Sequence, residues 1–162
     1  MPQISALFDT NVLIKVFLHA FILPDKTPYT EIYNAIMAGV IIPVYSRPTM
    51  DELLRKLTRP NELTKRFKII PADAQEFVEG IFYGLGDFVD GVEGVDGECS
   101  DPGDWMFEEA AALGGSDYAR PQFLVTDDND LHEEPVVKKL AKLGVEVVYS
   151  HNFAVRALGV TL

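Results

Sequence analysis

Four acidic residues of this 162-residue chain occupy positions from which a fold can bring negative charges together. Each of them directly follows an apolar run or stands near the start of a helical pattern: Asp9, Glu52, Asp104 and Asp128. Carboxylates that converge without basic partners repel one another, and a bound cation removes that repulsion. Mg²⁺ and Mn²⁺ prefer oxygen ligands of this kind and can orient a water for in-line attack on a phosphodiester. The pattern therefore indicates a divalent-metal site for phosphoryl chemistry.

Some of these acids also have a simpler interpretation, because an Asp or Glu near a helix N-terminus often serves only to cap the helix. For Asp104 or Glu52 alone, that role is sufficient. Asp9 needs a further explanation, since a carboxylate at the end of an apolar central strand is partly desolvated. Asp127 and Asp128 form a doubled acid at the end of another apolar run, which a cap alone does not explain.

The elements that must position these acids can be predicted from the spacing of apolar residues. Four short apolar runs predict buried strands, at residues 4–8, 40–45, 123–126 and 145–149. Pro43 favours an edge position or a bend for the second strand. Helical spacing predicts helices at about residues 12–20, 29–37, 50–57, 61–67, 71–84, 104–114, 135–143 and 152–158. This alternation favours a parallel sheet covered on both faces, with Asp9 and Asp128 at the carboxyl edge where ligands bind.

Polar residues at the predicted helix starts supply candidate caps. Thr10 or Asn11 would cap the first helix, and Thr49 would cap the third. Glu52 then falls in the first turn of the third helix.

The composition indicates a globular chain, with 48% hydrophobic residues and a formal net charge of −11. The charge is uneven, because residues 87–134 hold fifteen acidic side chains against the single base Arg120. Short Gly-containing units repeat within this region and predict an acidic loop over about residues 87–101. A protein this acidic should be repelled by nucleic acid unless it binds cations or presents a basic stripe.

Three further features bear on the compartment. The N-terminus lacks the basic flank and small-residue cleavage site of a signal peptide, and no apolar run reaches the roughly 18 residues that span a bilayer. The solitary Cys99 cannot form an internal disulfide. These features predict a cytoplasmic protein with no membrane association.

Four segments in sequence resemble the successive motifs of the PIN domain family: LFDTNVLI, SRPTMDELLRKL, SDPGDWMFEEAAALGG and FLVTDDNDL. The resemblance runs from about residue 4 to residue 158 and is strongest to the toxin components of bacterial toxin–antitoxin pairs. It implies a three-layer α/β/α sandwich with a central parallel sheet of four to five strands. It also implies one nuclease domain over residues 1–162, in which the acidic loop of about residues 87–101 is an insertion.

The same resemblance implies an activity and partners. The expected activity is endonucleolytic cleavage of single-stranded RNA with Mg²⁺ or Mn²⁺, which leaves a 5′-phosphate and a 3′-hydroxyl. The expected partners are the RNA, a cognate antitoxin protein and a second copy of the chain in a homodimer.

Carried over residue by residue, the resemblance places the catalytic and metal-binding acids on Asp9, Glu52, Asp104 and Asp128. It places supporting polar residues on Asn11, Asp101, Thr126, Asp127 and Asp130. Thr126 is expected to orient Asp9 or a metal-bound water by hydrogen bonding. Asp127 stands where the family commonly has glycine, which leaves open whether Asp127 or Asp128 is the ligand.

Basic residues are concentrated just after Glu52, where six of them fall within fourteen residues: Arg55, Lys56, Arg59, Lys65, Arg66 and Lys68. They are consistent with a phosphate-contacting edge and equally with a solvated helical face. Arg47 lies on the turn before Glu52 and is a separate candidate for holding a phosphate. The candidate RNA-binding set is therefore Arg47, Arg55, Lys56 and Arg59.

Two rival functions fit part of the pattern. An aspartyl-phosphate phosphatase also places an Asp after its first strand, but it needs a second Asp two residues later, where this chain has Asn11. A PIN-like protein with degenerate catalysis would act as a partner- or RNA-binding module, although here all four acids are present. The three histidines show no metal-ligand spacing, and His132 is expected at the surface.

Overall fold

The computed structural model describes residues 3–23, 25–114 and 120–161, and its centre is a five-stranded sheet. The strands are β1 (Ile4–Phe8), β2 (Ile41–Ser46), β3 (Asp87–Val89), β4 (Phe123–Val125) and β5 (Glu146–Val148). Their order across the sheet is β3-β2-β1-β4-β5, and every neighbouring pair is parallel. The expected parallel sheet is confirmed.

Helices cover both faces of this sheet. They are α1 (Thr10–Phe21), α2 (Pro28–Met37), α3 (Arg47–Thr58), α4 (Glu62–Arg66), α5 (Pro71–Tyr83), α6 (Trp105–Leu113), α7 (Glu134–Lys142) and α8 (Ser150–Leu158). Two 3₁₀ turns, Pro102–Asp104 and Asn129–His132, lie before α6 and α7. Among the described residues, none of the helices has both the length and the apolar character needed to cross a membrane.

The two faces of β1 belong to two separate hydrophobic clusters, because successive side chains of a strand point in opposite directions. Ala6 and Phe8 pack with α1, α2, α3, α5 and α8, whereas Leu7 packs with α6 and α7. A strand buried on both faces has a continuous apolar run rather than an alternating one. The arrangement confirms the expected α/β/α sandwich.

The prediction of an edge position for β2 is wrong, since β2 lies between β1 and β3. Pro43 is tolerated there because β3 is short. It pairs only with residues Val44 to Ser46, so Pro43 faces Ala6 of β1 and precedes the β3 ladder. The strand β3 was not predicted. It lies within the segment expected to form the acidic loop. Its three residues include the charged Asp87, and they are too few to form a recognisable apolar run.

The predicted caps of α1 and α3 are also wrong. Asp9 is the N-cap of α1 and its side chain makes no capping hydrogen bond, while Thr10 and Asn11 lie in the first turn. Ser46 caps α3 in a capping box, in which the backbone N–H and side-chain oxygen of Ser46 and Thr49 bond reciprocally. The helix therefore begins at Arg47, and Glu52 falls in its second turn. Both corrections leave the carboxylates of Asp9 and Glu52 free of capping roles.

One buried carboxylate of α6 fastens the acidic loop. Glu108 is completely buried and accepts hydrogen bonds from the backbone N–H groups of Glu98, at 2.8 and 2.9 Å, and Cys99, at 3.0 Å. Its Oε2 also lies 2.7 Å from the Nζ of Lys139 on α7. Hydrogen bonds to an ionised acceptor are about twice as strong as neutral ones. The contacts join the loop to two helices on the same face of the sheet.

Two more carboxylates hold the rest of the loop. Glu109 accepts from the backbone N–H groups of Glu93, at 3.0 Å, and Gly94, at 2.9 Å. Glu133 accepts from the backbone N–H of Ser100, at 2.8 Å, and from its hydroxyl, at 2.6 Å. These hydrogen bonds lower the pKa of the Glu133 carboxyl below its usual range. Five backbone N–H groups of the loop thus donate to carboxylates of α6 and of the residue before α7.

Replacing Glu108 with glutamine is expected to lower the free energy of unfolding by about 2–4 kcal/mol, because Lys139 loses its partner and an amide has one acceptor oxygen instead of two. Urea unfolding measures the effect. Glu134→Gln is the matched control, since Glu134 pairs with Lys138 in an exposed contact, and such pairs contribute about 0–1 kcal/mol. Equal, small shifts in both variants would contradict the anchoring role of Glu108.

Candidate metal centre

Asp9 lies at the carboxyl end of β1, where the central strand passes into α1. Its side chain is 3% exposed, and its Oδ2 accepts a hydrogen bond of 2.8 Å from the Oγ1 of Thr126 at the end of β4. Burial raises the pKa of the Asp9 carboxyl, and the charges of Asp128 and Glu52 raise it further, against the lowering effect of the Thr126 hydroxyl. The two neighbouring strands therefore deliver a partly desolvated carboxylate to the carboxyl edge of the sheet.

Asp104 closes the 3₁₀ turn before α6 and is 8% exposed. Its Oδ2 is buried without a hydrogen-bond partner among the described residues. Burial raises the pKa of the Asp104 carboxyl to about 8, the nearby carboxylate of Asp128 adds to the effect, and the charges of Asp9 and Asp101 raise the pKa further. An acid in this state needs a proton or a cation at neutral pH.

Four carboxylates form a compact group at this edge, which we call the acid cluster: Asp101, Asp104, Asp128 and Asp130. One oxygen from each lies within 4.8 Å of the corresponding oxygens of the others. Turn hydrogen bonds fix two of them, since Asp101 accepts from the N–H of Gly103 at 2.9 Å and Asp128 accepts from the N–H of Asp130 at 3.0 Å. The backbone therefore holds the side chains of Asp101 and Asp128 in place before any ion binds.

The acid cluster fits a hard divalent cation. Within the described ranges, no Lys, Arg or His forms an ion pair with any of its four carboxylates. The group thus combines oxygen donors, uncompensated negative charge and one buried oxygen without a partner. Mg²⁺ and Mn²⁺ accept such donor sets, usually together with waters and substrate phosphate.

Of the four acids expected from the sequence, two belong to the acid cluster and two lie outside it. Asp104 and Asp128 belong to the acid cluster, and the Asp9 carboxylate adjoins it closely enough to raise the pKa of Asp104. Glu52 on α3 lies close enough to Asp9 for its charge to contribute to the raised pKa of that residue. Its Oε1 also pairs with the Nζ of Lys56 at 3.0 Å. Glu52 therefore influences Asp9 without belonging to the acid cluster.

The side chains of Asp127 and Asp128, which follow β4, have different partners. Asp127 accepts hydrogen bonds from the backbone N–H of Ser150, at 2.9 Å, and from its hydroxyl, at 2.7 Å. Its Oδ2 lies 3.8 Å from the Nζ of Lys15. Asp128 instead contributes to the acid cluster, and its backbone N–H donates to the Oγ1 of Thr126 at 3.0 Å. The geometry therefore separates an anchor for α8 from a candidate ligand.

Replacing Asp127 and Asp128 with asparagine one at a time tests which of the two anchors α8 and which binds the ion. Asp127→Asn should lower the free energy of unfolding by about 1–2 kcal/mol, because the start of α8 loses an ionised acceptor. It should keep the rise in melting temperature that MnCl₂ produces. Asp128→Asn should behave in the opposite way, with metal-free stability kept or increased and little response to MnCl₂. Thermal unfolding with and without the ion measures both, and a lost response in Asp127→Asn alone would reverse the assignment.

A groove of about 740 Å³ opens beside the acid cluster, between α1, α3 and α4; we call it the side groove. Its lining includes the polar residues Asn11, Lys15 and Lys56 and the apolar residues Ile14, Leu18 and Leu63, with Asp127 and Asp128 at one end. Lys15 was not among the expected site residues. A signal for it existed, since it stands four positions after Asn11 and so shares a helix face with it.

The basic residues expected to contact RNA are distributed over several surfaces. Lys56 lines the side groove, whereas Arg55 and Arg59 line a different depression together with Glu52. Arg47 is exposed, and its Nε lies 3.3 Å from the Oδ2 of Asp51. The structure therefore does not gather these four residues into one patch.

His132 is half-buried rather than at the surface, which corrects the expectation from sequence. Its Nε2 lies 2.8 Å from the carbonyl oxygen of Thr126, and its ring stacks on Tyr149 at a centroid distance of 3.6 Å. The hydroxyl of Tyr149 donates to Asn129 at 2.9 Å. These contacts brace the turn that carries Asp128.

Comparison with known proteins agrees with this geometry. The sequence model of the PIN domain family matches residues 5–130, which include β1 from its second residue on, the acid cluster and Glu52. Searches of curated proteins and of solved structures gave no significant match. The matched segment covers more than half of the chain, and therefore the chain belongs to the PIN domain family.

Proposed function

We propose that this protein is a Mg²⁺- or Mn²⁺-dependent endoribonuclease that hydrolyses single-stranded RNA. PIN domains are generally nucleases, and the membership of this chain supports that class of activity. The observation that carries the proposal is the acid cluster, whose four carboxylates converge within 4.8 Å at the carboxyl edge of the sheet. In open parallel sheets, ligands bind beyond that edge.

Asp9, Asp104 and Asp128 are proposed as the residues that would hold the ion, with Asp101 and Asp130 in supporting positions. The buried Oδ2 of Asp104 and the raised pKa of its carboxyl support this assignment, because both features favour binding of a cation. The bound ion would supply Lewis-acid stabilisation of negative charge on the phosphate and lower the pKa of a coordinated water.

The side chains of the chain itself would orient the reactants. The Thr126 hydroxyl holds the Asp9 carboxylate through its 2.8 Å hydrogen bond. Glu52 is partly buried and can accept a hydrogen bond from the attacking water, which would fix the direction of attack. In the hydrolysis, the water oxygen bonds to phosphorus and the bond to the 3′-oxygen breaks. The products are then a 5′-phosphate and a 3′-hydroxyl.

The biological setting is proposed from the sequence motifs. Their resemblance is strongest to toxin components of bacterial toxin–antitoxin pairs, so we propose that the protein is such a toxin, active in the cytoplasm. Its partners would be a cognate antitoxin and a second copy of the chain. Co-expression with the adjacent open reading frame tests this setting. The protein should inhibit growth when expressed alone, and the product of the adjacent frame should relieve that inhibition.

The activity itself is tested by incubating the purified protein with end-labelled single-stranded RNA in MnCl₂, in MgCl₂ and in EDTA. We expect cleavage with at least one of the two ions, none in EDTA, and fragments that carry a 5′-phosphate. Full activity in EDTA would overturn the metal-dependent mechanism. A PIN-like module that only binds RNA or a partner protein would retain binding but cleave in none of the three conditions.

A further inference from the structure

The side groove carries features that the acid cluster does not need. It is continuous with the cluster, because Asp128 contributes to both. Its volume of about 740 Å³ falls in the range of about 300–1,000 Å³ of pockets that hold small organic molecules. A molecule that enters it would lie directly beside the proposed cleavage centre.

Two lysines stand in this groove with restrained side chains. The Nζ of Lys15 lies 3.8 Å from the Oδ2 of Asp127 and 5.6 Å from the ring centroid of Tyr29. The Nζ of Lys56 lies 3.0 Å from the Oε1 of Glu52. Each carboxylate fixes the position of a cation, and both lysines remain about half exposed and free to contact an anion.

The rest of the lining is an apolar surface with two amides, Asn11 and Asn61, and the carboxylates of Asp127 and Asp128 at the end beside the acid cluster. Ile14, Leu18 and Leu63 present hydrocarbon to the groove. Asn11 also lines it and makes no side-chain hydrogen bond within the part of the chain that the structure describes, so its amide can serve a ligand. Two lysines and an apolar surface in one groove match a nucleotide, which has an anionic phosphate and a base with an apolar face.

We infer that the side groove binds one unpaired nucleotide of the RNA next to the scissile phosphate, with its base on Leu18 and Leu63 and its phosphate at Lys15 and Lys56. This inference rests on the proposed function, because it takes the acid cluster as the cleavage centre. It also gives a structural reason for a single-stranded substrate. A base in a duplex is stacked and paired, so it cannot lie on the apolar lining.

The location of the groove also bears on the strongly acidic composition. The acidic loop is bound on the face of the sheet that α6 and α7 cover, whereas the groove lies among α1, α3 and α4. Residues 47–68, which form α3 and α4 and their ends, contain seven of the fourteen basic residues of the chain. The RNA strand would thus approach elements with an excess of basic over acidic residues, away from the face that carries the acidic loop.

Binding is measured in EDTA, so that no cleavage occurs, by fluorescence anisotropy of a labelled single-stranded RNA of about ten nucleotides. Lys15→Ala should weaken binding about fivefold and reduce the slope of log affinity against log salt by about 0.7, as for one lost phosphate contact. Lys142→Ala is the matched control, since this exposed lysine lies at the end of α7. It removes the same charge and should leave both values unchanged.

The apolar contact is tested with Leu63→Gln, which keeps the side-chain size and should weaken binding about fivefold. An RNA in which one nucleotide is abasic tests the same contact without altering the protein. It should bind the wild type more weakly than intact RNA does, and this difference should shrink in Leu63→Gln. Duplex RNA of the same sequence should bind more weakly than the single strand. Circular dichroism of each variant checks that it is folded.

The results separate the inference from the proposed function. Unchanged affinities and salt slopes in both Lys15→Ala and Leu63→Gln, in a protein that cleaves RNA with Mn²⁺, would overturn the inference alone. If affinity is lost only in Lys15→Ala and Leu63→Gln, and the wild-type protein fails to cleave RNA with any divalent ion tested, the binding site is supported and the proposed catalysis is overturned. Equal losses in Lys15→Ala and Lys142→Ala would show that only overall charge matters, which also overturns the inference.

Discussion

Replacing Asp9 with asparagine is expected to lower Mn²⁺-dependent cleavage of single-stranded RNA by at least about a thousandfold. The asparagine has nearly the same shape and can still accept the hydrogen bond from Thr126 through its carbonyl oxygen. It removes the negative charge that would bind the ion and hold it against the phosphate. Cleavage rates at saturating MnCl₂ measure the effect.

The fold of this variant should remain intact, because the buried charge of Asp9 is a source of repulsion in the metal-free protein. Its melting temperature in EDTA should equal or exceed that of the wild type. Asp73→Asn is the matched control, since Asp73 is exposed in the first turn of α5 and lies in the sequence far from the acid cluster. Wild-type cleavage rates in Asp9→Asn would rule out its role as a metal ligand.

The stability of the metal-free protein should fall as the pH rises from about 5.5 to about 8.5. The pKa of Asp104 lies at about 8 in the folded chain, well above the value of about 3.9 for an unfolded Asp. Within this window the folded state binds a proton that the unfolded state has released. The free energy of unfolding therefore decreases with rising pH, by up to about 1.4 kcal/mol per pH unit for one proton.

We expect a decrease in melting temperature of about 5 °C or more across this window, since about 1 kcal/mol corresponds to 2–4 °C for a domain of this size. MnCl₂ should reverse the decrease, because the ion replaces the proton, and its effect should be larger at pH 8.5 than at pH 5.5. Asp104→Asn should flatten the pH dependence and remove most of the response to the ion. A wild-type stability that rises with pH over this window in EDTA would contradict the account.

The acidic loop shows why the net charge is a poor guide to the surface that meets RNA. Glu108, Glu109 and Glu133 direct their carboxylates at backbone N–H groups of the loop, so this charge is used within the fold. Such acids stabilise the chain locally through charge-assisted hydrogen bonds. A count of charged residues cannot distinguish these internal acceptors from carboxylates that face a ligand.

The sequence was sufficient to predict the central sheet and the edge at which the acids meet. A strand such as β1 is apolar except for Ser5, because its inner residues are buried on both faces, and its end is marked by a polar turn. Parallel connection then requires that Asp9 and Asp128 lie on the same edge. These predictions depend on local patterns and on general rules of topology, which is why they did not need the tertiary contacts.

Other features depend on contacts between residues that are distant in sequence. The direction of Asp127 is set by Ser150, twenty-three residues later. Nothing local distinguishes Asp127 from Asp128. The short strand β3 forms because β2 offers it a pairing edge, and its own three residues carry little strand signal. The position of Glu52 in the second turn follows from the capping box, in which Ser46 is the N-cap and Thr49 is its partner three residues later.

The central claim is that these carboxylates form a divalent-metal site, and a crystal soaked in MnCl₂ tests it most directly. The anomalous difference map should show a manganese peak among Asp9, Asp104 and Asp128. The peak should be absent from a crystal of Asp9→Asn or Asp128→Asn soaked in the same way. A well-ordered acid cluster without any peak at saturating MnCl₂, or a peak only at exposed acids elsewhere, would contradict the account.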